Sequence, residues 1–258
     1  MTNIGPSSSQ ICFSPTVRKK FEALGKLELI DSLEGFYSQL LKCRRDFVEY
    51  SNPETMSEVA RAAANVQVLQ QVHLHRAERL LVSAGSMIAE ENIYGLTLLI
   101  RGHIESTAIM GYLCDRIRAF MNGSVPFERV IFDIAHALMG VKHVMFKEKP
   151  DPVNIMTAIE KADRYFERKA GSSGQGMLAD CYAWLSDFAH PNFLSGGSAL
   201  KLNRSLGRLE FRHGFGLSEE EIGHLGYLNI SAALFIMFFN DLTEMVPSAF
   251  PVGLSPDI

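Results

Sequence analysis

Residues Ile93 to Cys114 read IYGLTLLIRGHIESTAIMGYLC. Arg101 and Glu105 are the only full charges in the run, so it predicts an apolar helix buried around most of its circumference. A second segment, Cys181 to Phe193, reads CYAWLSDFAHPNF. Proline disfavours a helical residue before it, so Pro191 leaves His190 in the last turn of that helix. Two such segments packed together define a helical bundle with a few polar groups inside it, and those groups must satisfy one another.

The rest of the chain reads as further helices. Ser14-Pro15 forms a cap followed by proline at the first helical position, opening a long helix to about Tyr50 with Phe21, Leu24, Leu33, Phe36 and Leu40 on its apolar side. Asn52-Pro53 stops that helix and starts another, which Gly85 ends or kinks. The central helix breaks at Asn122-Gly-Ser124, Pro126 opens the next to about Phe146, and Asp151-Pro152 caps one that runs to about Lys169. Gly171 to Gly176 reads as a linker. Leu200, Leu202, Leu209 and Phe211 alternate with polar residues around Ser205-Leu-Gly207, which predicts a hairpin. Ser218-Glu-Glu-Glu221 is a capping box for a last helix to about Met245, apolar nearly all round. The expected fold is all-α: an antiparallel helical bundle of about seven helices with a minor β-hairpin near 199–215. Residues 1–14 read as a flexible N-terminal tail, 15–246 as a single helical domain and 247–258 as an extended C-terminal tail.

Composition narrows the function classes. The chain has 258 residues, 47% hydrophobic and 21% charged, with a net charge of −4. That is a globular composition with no overall basic field to recruit nucleic acid, although a local basic groove is compatible with it. Four cysteines lie far apart; Cys43, Cys114 and Cys181 fall in helical patterns and read as buried thiols of a reducing cytosol. The N-terminus has no basic stretch followed by an apolar one, and the most apolar run, Ala232–Phe239, is short for a membrane span. A cytoplasmic protein without membrane contact is the expectation. His73 and His75 point to different helix faces, and no metal-ligand spacing, Gly-rich phosphate loop or other cofactor motif occurs, so neither metal nor cofactor is expected. Arg44, Arg45, Arg61, Arg76 and Arg79 read as a solvated face balanced by Glu49, Glu54, Glu58 and Glu78. Phe211 to Phe215 reads as aromatic packing over the core.

The candidate site follows from helical spacing. Arg101, Glu105 and Tyr112 share a stripe, and Arg preceding Glu is the weaker order for an exposed pair, which points to a buried or cleft-facing one. Arg101 has more donors than Glu105 can satisfy. Tyr182, Ser186 and His190 share a face of the second segment, with Asp187 three residues from His190. Arg101, Glu105, Ser186, Asp187 and His190 therefore form the expected cluster, with His190 for acid–base work and Arg101 for charge stabilisation or anion binding. The same network could instead fix helix register and carry no chemistry.

At LIRGHIESTAIMGYL and YAWLSDFAHPN the chain resembles bacterial all-helical families grouped with HEPN-like proteins, over about residues 80–193. The resemblance implies an RNA- or nucleotide-acting factor of stress or phage defence, active as a homodimer. Such nucleases carry an Arg, then four to six intervening residues, then a His. Arg129…His136 and Arg208…His213 fit that spacing, but Val130 replaces the usual polar residue and Arg208 falls in the expected hairpin. The resemblance thus speaks for the fold more than for ribonuclease activity. Two functions stay open: this RNA- or nucleotide-acting factor, and a non-enzymatic helical interaction or regulatory protein. The abundance of apolar surface suits a homodimer as well as a large monomer core.

Overall fold

The computed structural model describes residues 13–49, 56–146, 148–171, 176–190, 193–197, 200–211 and 219–251. Helix α1 (Pro15–Ala23) starts as its sequence dictates, with Ser14 Oγ accepting from the Val17 N–H at 3.3 Å and Pro15 in the first turn. Phe13, expected in the tail, is buried, and its N–H donates to Glu34 Oε1 at 3.2 Å. The chain then turns at Gly25, whose φ of +65° suits a residue without Cβ, before α2 (Leu27–Lys42) begins. The single helix expected to reach Tyr50 is therefore two. Its apolar periodicity conceals the break because Phe21 on one piece and Ile30, Leu33, Tyr37 and Leu40 on the other all join one core.

Helix α3 (Glu58–Ala89) is capped by Ser57 and continues through Gly85, so of the expected end or kink there the end does not occur. The Asn52-Pro53 signal lies outside the described residues. Asn92 caps α4 (Ile93–Met121), its Oδ1 accepting from the Gly95 N–H at 3.0 Å. Helix α5 (Phe127–Met139) ends well before Phe146, because the chain folds back and the Val141 N–H donates to the Pro150 carbonyl at 2.9 Å. The cap of α6 (Ile155–Ala170) is Asn154 rather than Asp151: its Oδ1 accepts from the N–H groups of Met156 at 2.9 Å and Thr157 at 3.4 Å. Next come α7 (Met177–Ala189) and the short α8 (Phe193–Gly197). Strands β1 (Leu200–Asn203) and β2 (Arg208–Phe211) form the expected antiparallel hairpin, with Leu202 opposite Leu209. Phe211 is exposed rather than packed over the core. A short α9 (Glu219–Ile222) leads into α10 (His224–Ala249); Ser218 of the expected capping box lies outside the described residues. Helix α10 continues through Pro247, and Phe250 is buried, so the expected tail is helical at its start.

The architecture is an all-α bundle with a minor β-hairpin. Helix α4 is its axis and packs on α3, α5, α6, α7 and α10. Ile100, Ile104, Ala108, Leu113 and Ile117 are fully buried along it. A Cβ at Gly111 would lie 2.5 Å from Ala162 Cβ of α6 and 2.8 Å from Phe238 Cε2 of α10, so this glycine is what lets three helices meet so closely. The run Ala232–Phe239 is the middle of a longer apolar window. By length and composition alone α10 could cross a membrane, but 61% of that window is buried inside the bundle, where it serves as core.

Candidate functional site

The seam between α4 and α7 is built from its ends inward. Asp163 of α6 caps α7, accepting from the N–H groups of Leu178 at 2.9 Å and Ala179 at 3.0 Å. Burial pushes the Asp163 carboxyl upward, and those two backbone bonds oppose the shift. At the other end Tyr94 OH donates to the Ser195 carbonyl of α8 at 2.7 Å. With Tyr94 at Ser195 and Arg101 at Tyr182, later residues of α4 meet earlier ones of the α7–α8 segment, so α7 runs antiparallel to α4.

In the middle of the seam Arg101 Nη2 donates to Tyr182 OH at 2.9 Å, and Tyr182 OH donates to Glu105 Oε1 at 3.3 Å. Arg101 Nε lies 3.9 Å from the same carboxylate oxygen, and the guanidinium sits 4.9 Å from the Tyr182 ring centroid. A third group completes the cluster. Arg76 of α3 donates to Glu105 Oε2 at 3.3 Å, to the Gly102 carbonyl at 2.8 Å and to Ser106 Oγ at 2.6 Å. The Arg101 and Glu105 side chains are 28% and 32% exposed, so of the buried or cleft-facing alternatives the pair takes the half-wet, cleft-facing one. Sequence spacing missed Arg76, whose only trace was the pair of small residues Gly102 and Ser106 facing it across α4. Tyr182 lay in the recognised stripe and proves to be the hub. Tyr112, expected on the Arg101 stripe, is buried, and burial together with the nearby Asp133 carboxylate of α5 raises its hydroxyl above the ordinary value.

The other three expected site residues do not join this cluster. Ser186 Oγ is buried and has no hydrogen-bond partner among the described residues. Asp187 is exposed, and so is His190, which caps the end of α7. Eight residues of helix separate Tyr182 from His190, about 12 Å at 1.5 Å per residue. His190 lines a separate groove of about 420 Å³ together with Tyr94, Leu98, Phe188 and Ser195. The site is thus split: an ionic hub at one end of the seam, an apolar groove with an imidazole at the other.

A buried histidine braces the helices behind that groove. His224 Nε2 accepts from Trp184 Nε1–H at 3.2 Å, and its Nδ1 lies 3.4 Å from Thr97 Oγ1. An indole N–H can only donate, so Nε2 carries no proton and the neutral ring presents Nδ1–H to Thr97. Phe188, which also lines the groove, packs edge-on to His224 at 4.8 Å.

Two further networks lie elsewhere. His103, Thr107 and Ser231 are fully buried, with His103 Nδ1 2.8 Å and Thr107 Oγ1 2.9 Å from Ser231 Oγ. Burial, helped by Arg76, pushes His103 down to about 3 and half-buried His73 down to about 4. On α5, Arg129 Nε donates to buried Asp133 at 3.1 Å and its guanidinium lies 5.0 Å from the Phe132 ring, which His136 meets on centroids 3.9 Å apart. Arg208, in the hairpin, pairs with Glu210 at 3.0 Å; His213 lies outside the described residues. Burial raises the Cys114 thiol well above its ordinary value and pushes Cys181 up to about 11, which makes both poor nucleophiles. Among the described residues no cluster of His, Cys, Asp and Glu could hold a metal ion.

No family model, no curated protein and no solved structure matches this chain.

Proposed function

We propose that the protein is a non-enzymatic helical interaction protein whose groove beside α4, α7 and α8 receives an apolar segment of a partner. The observation that carries this reading is the groove wall: Tyr94 and Leu98 are 45% and 56% exposed there, beside His190 and Phe188. A pocket of a few hundred Å³ with apolar walls and a few polar groups is the common form of a binding site. In this reading Arg101, Glu105 and Tyr182 are architectural. They fix the spacing of α4 and α7, and the guanidinium is already engaged while His190 lies two helical turns away, so the two cannot serve one reacting bond. The test is a displayed-peptide screen. Enriched peptides should carry an apolar anchor and lose binding to Leu98→Glu while the thermal midpoint stays put. RNA cleavage that His190→Ala abolishes in a folded protein would overturn the reading.

A second reading keeps the HEPN-like function and rests on α5. Arg129, Phe132 and His136 share one face, with Phe132 47% exposed between the cation and the imidazole. An exposed ring beside a cation suits stacking of a single-stranded base. Phe132→Ala and His136→Ala should then weaken binding or cleavage of a labelled oligoribonucleotide. If neither does so, this reading fails.

A further inference from the structure

Helix α2 ends against the middle of α3, and that corner is held more firmly than an exposed turn requires. Gln71 clasps the backbone on both sides of Arg44: its Oε1 accepts from the Arg45 N–H at 3.1 Å and its Nε2 donates to the Cys43 carbonyl at 3.1 Å. Glu78, two helical turns further along α3, clasps the Arg44 side chain, accepting from Nε at 2.8 Å and from Nη2 at 2.5 Å. This corrects the view of Glu78 as part of a solvated face, since its side chain is 3% exposed. A carboxylate so deep must be paired, and the bidentate guanidinium pairs it. Glu78 is thereby spent on Arg44 and has little capacity left for other cations.

Beside this clasp lies a polar groove of about 350 Å³, lined by Arg44, Arg45, Asp46, Gln71, His75 and Arg79 among others. Gln71, His75 and Arg79 follow one another at four-residue steps, so one face of α3 forms a wall. Arg45 and His75 are exposed, as is Arg79, and among the described residues neither Arg45 nor Arg79 is in an ion pair. The groove therefore sets three guanidiniums against the two carboxylates of Glu78 and Asp46, with the Arg44 and Glu78 charges cancelling each other.

We infer that this groove binds a small phosphorylated molecule through its phosphate or diphosphate group. Arginine presents a planar fork that matches phosphoryl oxygens, and the two uncommitted forks of Arg45 and Arg79 can each take one phosphoryl group. The His75 ring adds a donor between them. Clasping the Arg44–Arg45 corner beforehand removes ordering entropy that binding would otherwise cost. The site uses α2 and α3 and is independent of the α4–α7 groove.

The experiment titrates inorganic pyrophosphate into the full chain by calorimetry at fixed ionic strength. Saturable binding at one site is expected. Each guanidinium–phosphate contact contributes enough that Arg79→Gln and Arg45→Gln should each weaken it about tenfold or more, with a smaller loss for His75→Gln. Arg164→Gln, on the exposed face of α6, should change nothing. All four positions are on the surface, and an unchanged circular dichroism melt checks that each variant is folded. No binding at millimolar pyrophosphate overturns the inference. So does an equal loss in Arg164→Gln, which would mean a diffuse charge effect. Binding of a 5′-phosphorylated oligoribonucleotide or of phosphoinositide vesicles without any binding of pyrophosphate also overturns it, because the recognised partner would then be a polymer or a membrane.

Discussion

On one side of α4, Arg101 and Glu105 are 28% and 32% exposed and tied together through Tyr182 and Arg76. On the other, His103 and Thr107 are dry, and His103 is held neutral. Arg101 and His103 are only two positions apart, yet about 200° of helical rotation turns them to opposite neighbours. What differs is water. Where solvent reaches, a charged network is tolerable and contributes modestly. Where it does not, polar groups are held neutral and pair within the fold: His103 Nδ1 meets Ser231 Oγ, while its Nε2 has no partner among the described residues.

Acid should expose this difference most strongly. His103 and His73 are depressed to about 3 and about 4 from an ordinary 6.5, chiefly by burial. Both stay neutral in the folded chain and take up protons when it unfolds below pH 6.5. Stability is therefore complete above pH 6.5 and falls as the pH drops toward those depressed values, by about 1.4 kcal/mol per pH unit for a fully buried histidine. Urea midpoints measured across that window should show the fall, and His103→Leu should make it shallower, leaving the His73 contribution. A wild-type profile that is already flat would break the comparison.

A smaller effect is expected from Ser231→Ala, which strips His103 Nδ1 and Thr107 Oγ1 of a shared partner in a dry site. It should cost about 1–3 kcal/mol, independent of salt. On the wet side, Tyr182→Phe removes the hydroxyl that bridges Arg101 and Glu105 but keeps the ring beneath the guanidinium, and should cost about 1 kcal/mol. Glu105→Gln should cost less than about 1 kcal/mol, and its effect should shrink as salt is added. If Glu105→Gln proved the costlier of the two and ignored salt, the junction would be dry after all.

Much of the fold was legible along the chain. The apolar run from Ile93 to Cys114 marked the axis of the bundle, and Ser14-Pro15, Asn122-Gly123 and Leu200…Phe211 located a helix start, a break and the hairpin. Gly85 is carried inside α3, and the reversal after Met139 rests on the Pro150 carbonyl, a partner in another segment that local spacing cannot reveal. The site was half legible. Arg101 and Glu105 are joined, because the i,i+4 relation is a property of the helix itself. Ser186, Asp187 and His190 were expected in the same cluster, but where α7 lies along α4 is not written in either helix.

By itself, then, the sequence determined the helical class, the apolar axis and the pairing of charges within one helix, all of which follow from short-range backbone geometry. Tertiary structure alone decided that Tyr182 and Arg76 complete the hub, that His190 opens onto a separate groove and that Glu78 is buried against Arg44. Those outcomes depend on the register and depth at which helices dock, which are set by close contacts such as Gly111 against Ala162 and by how far water penetrates between the packed surfaces.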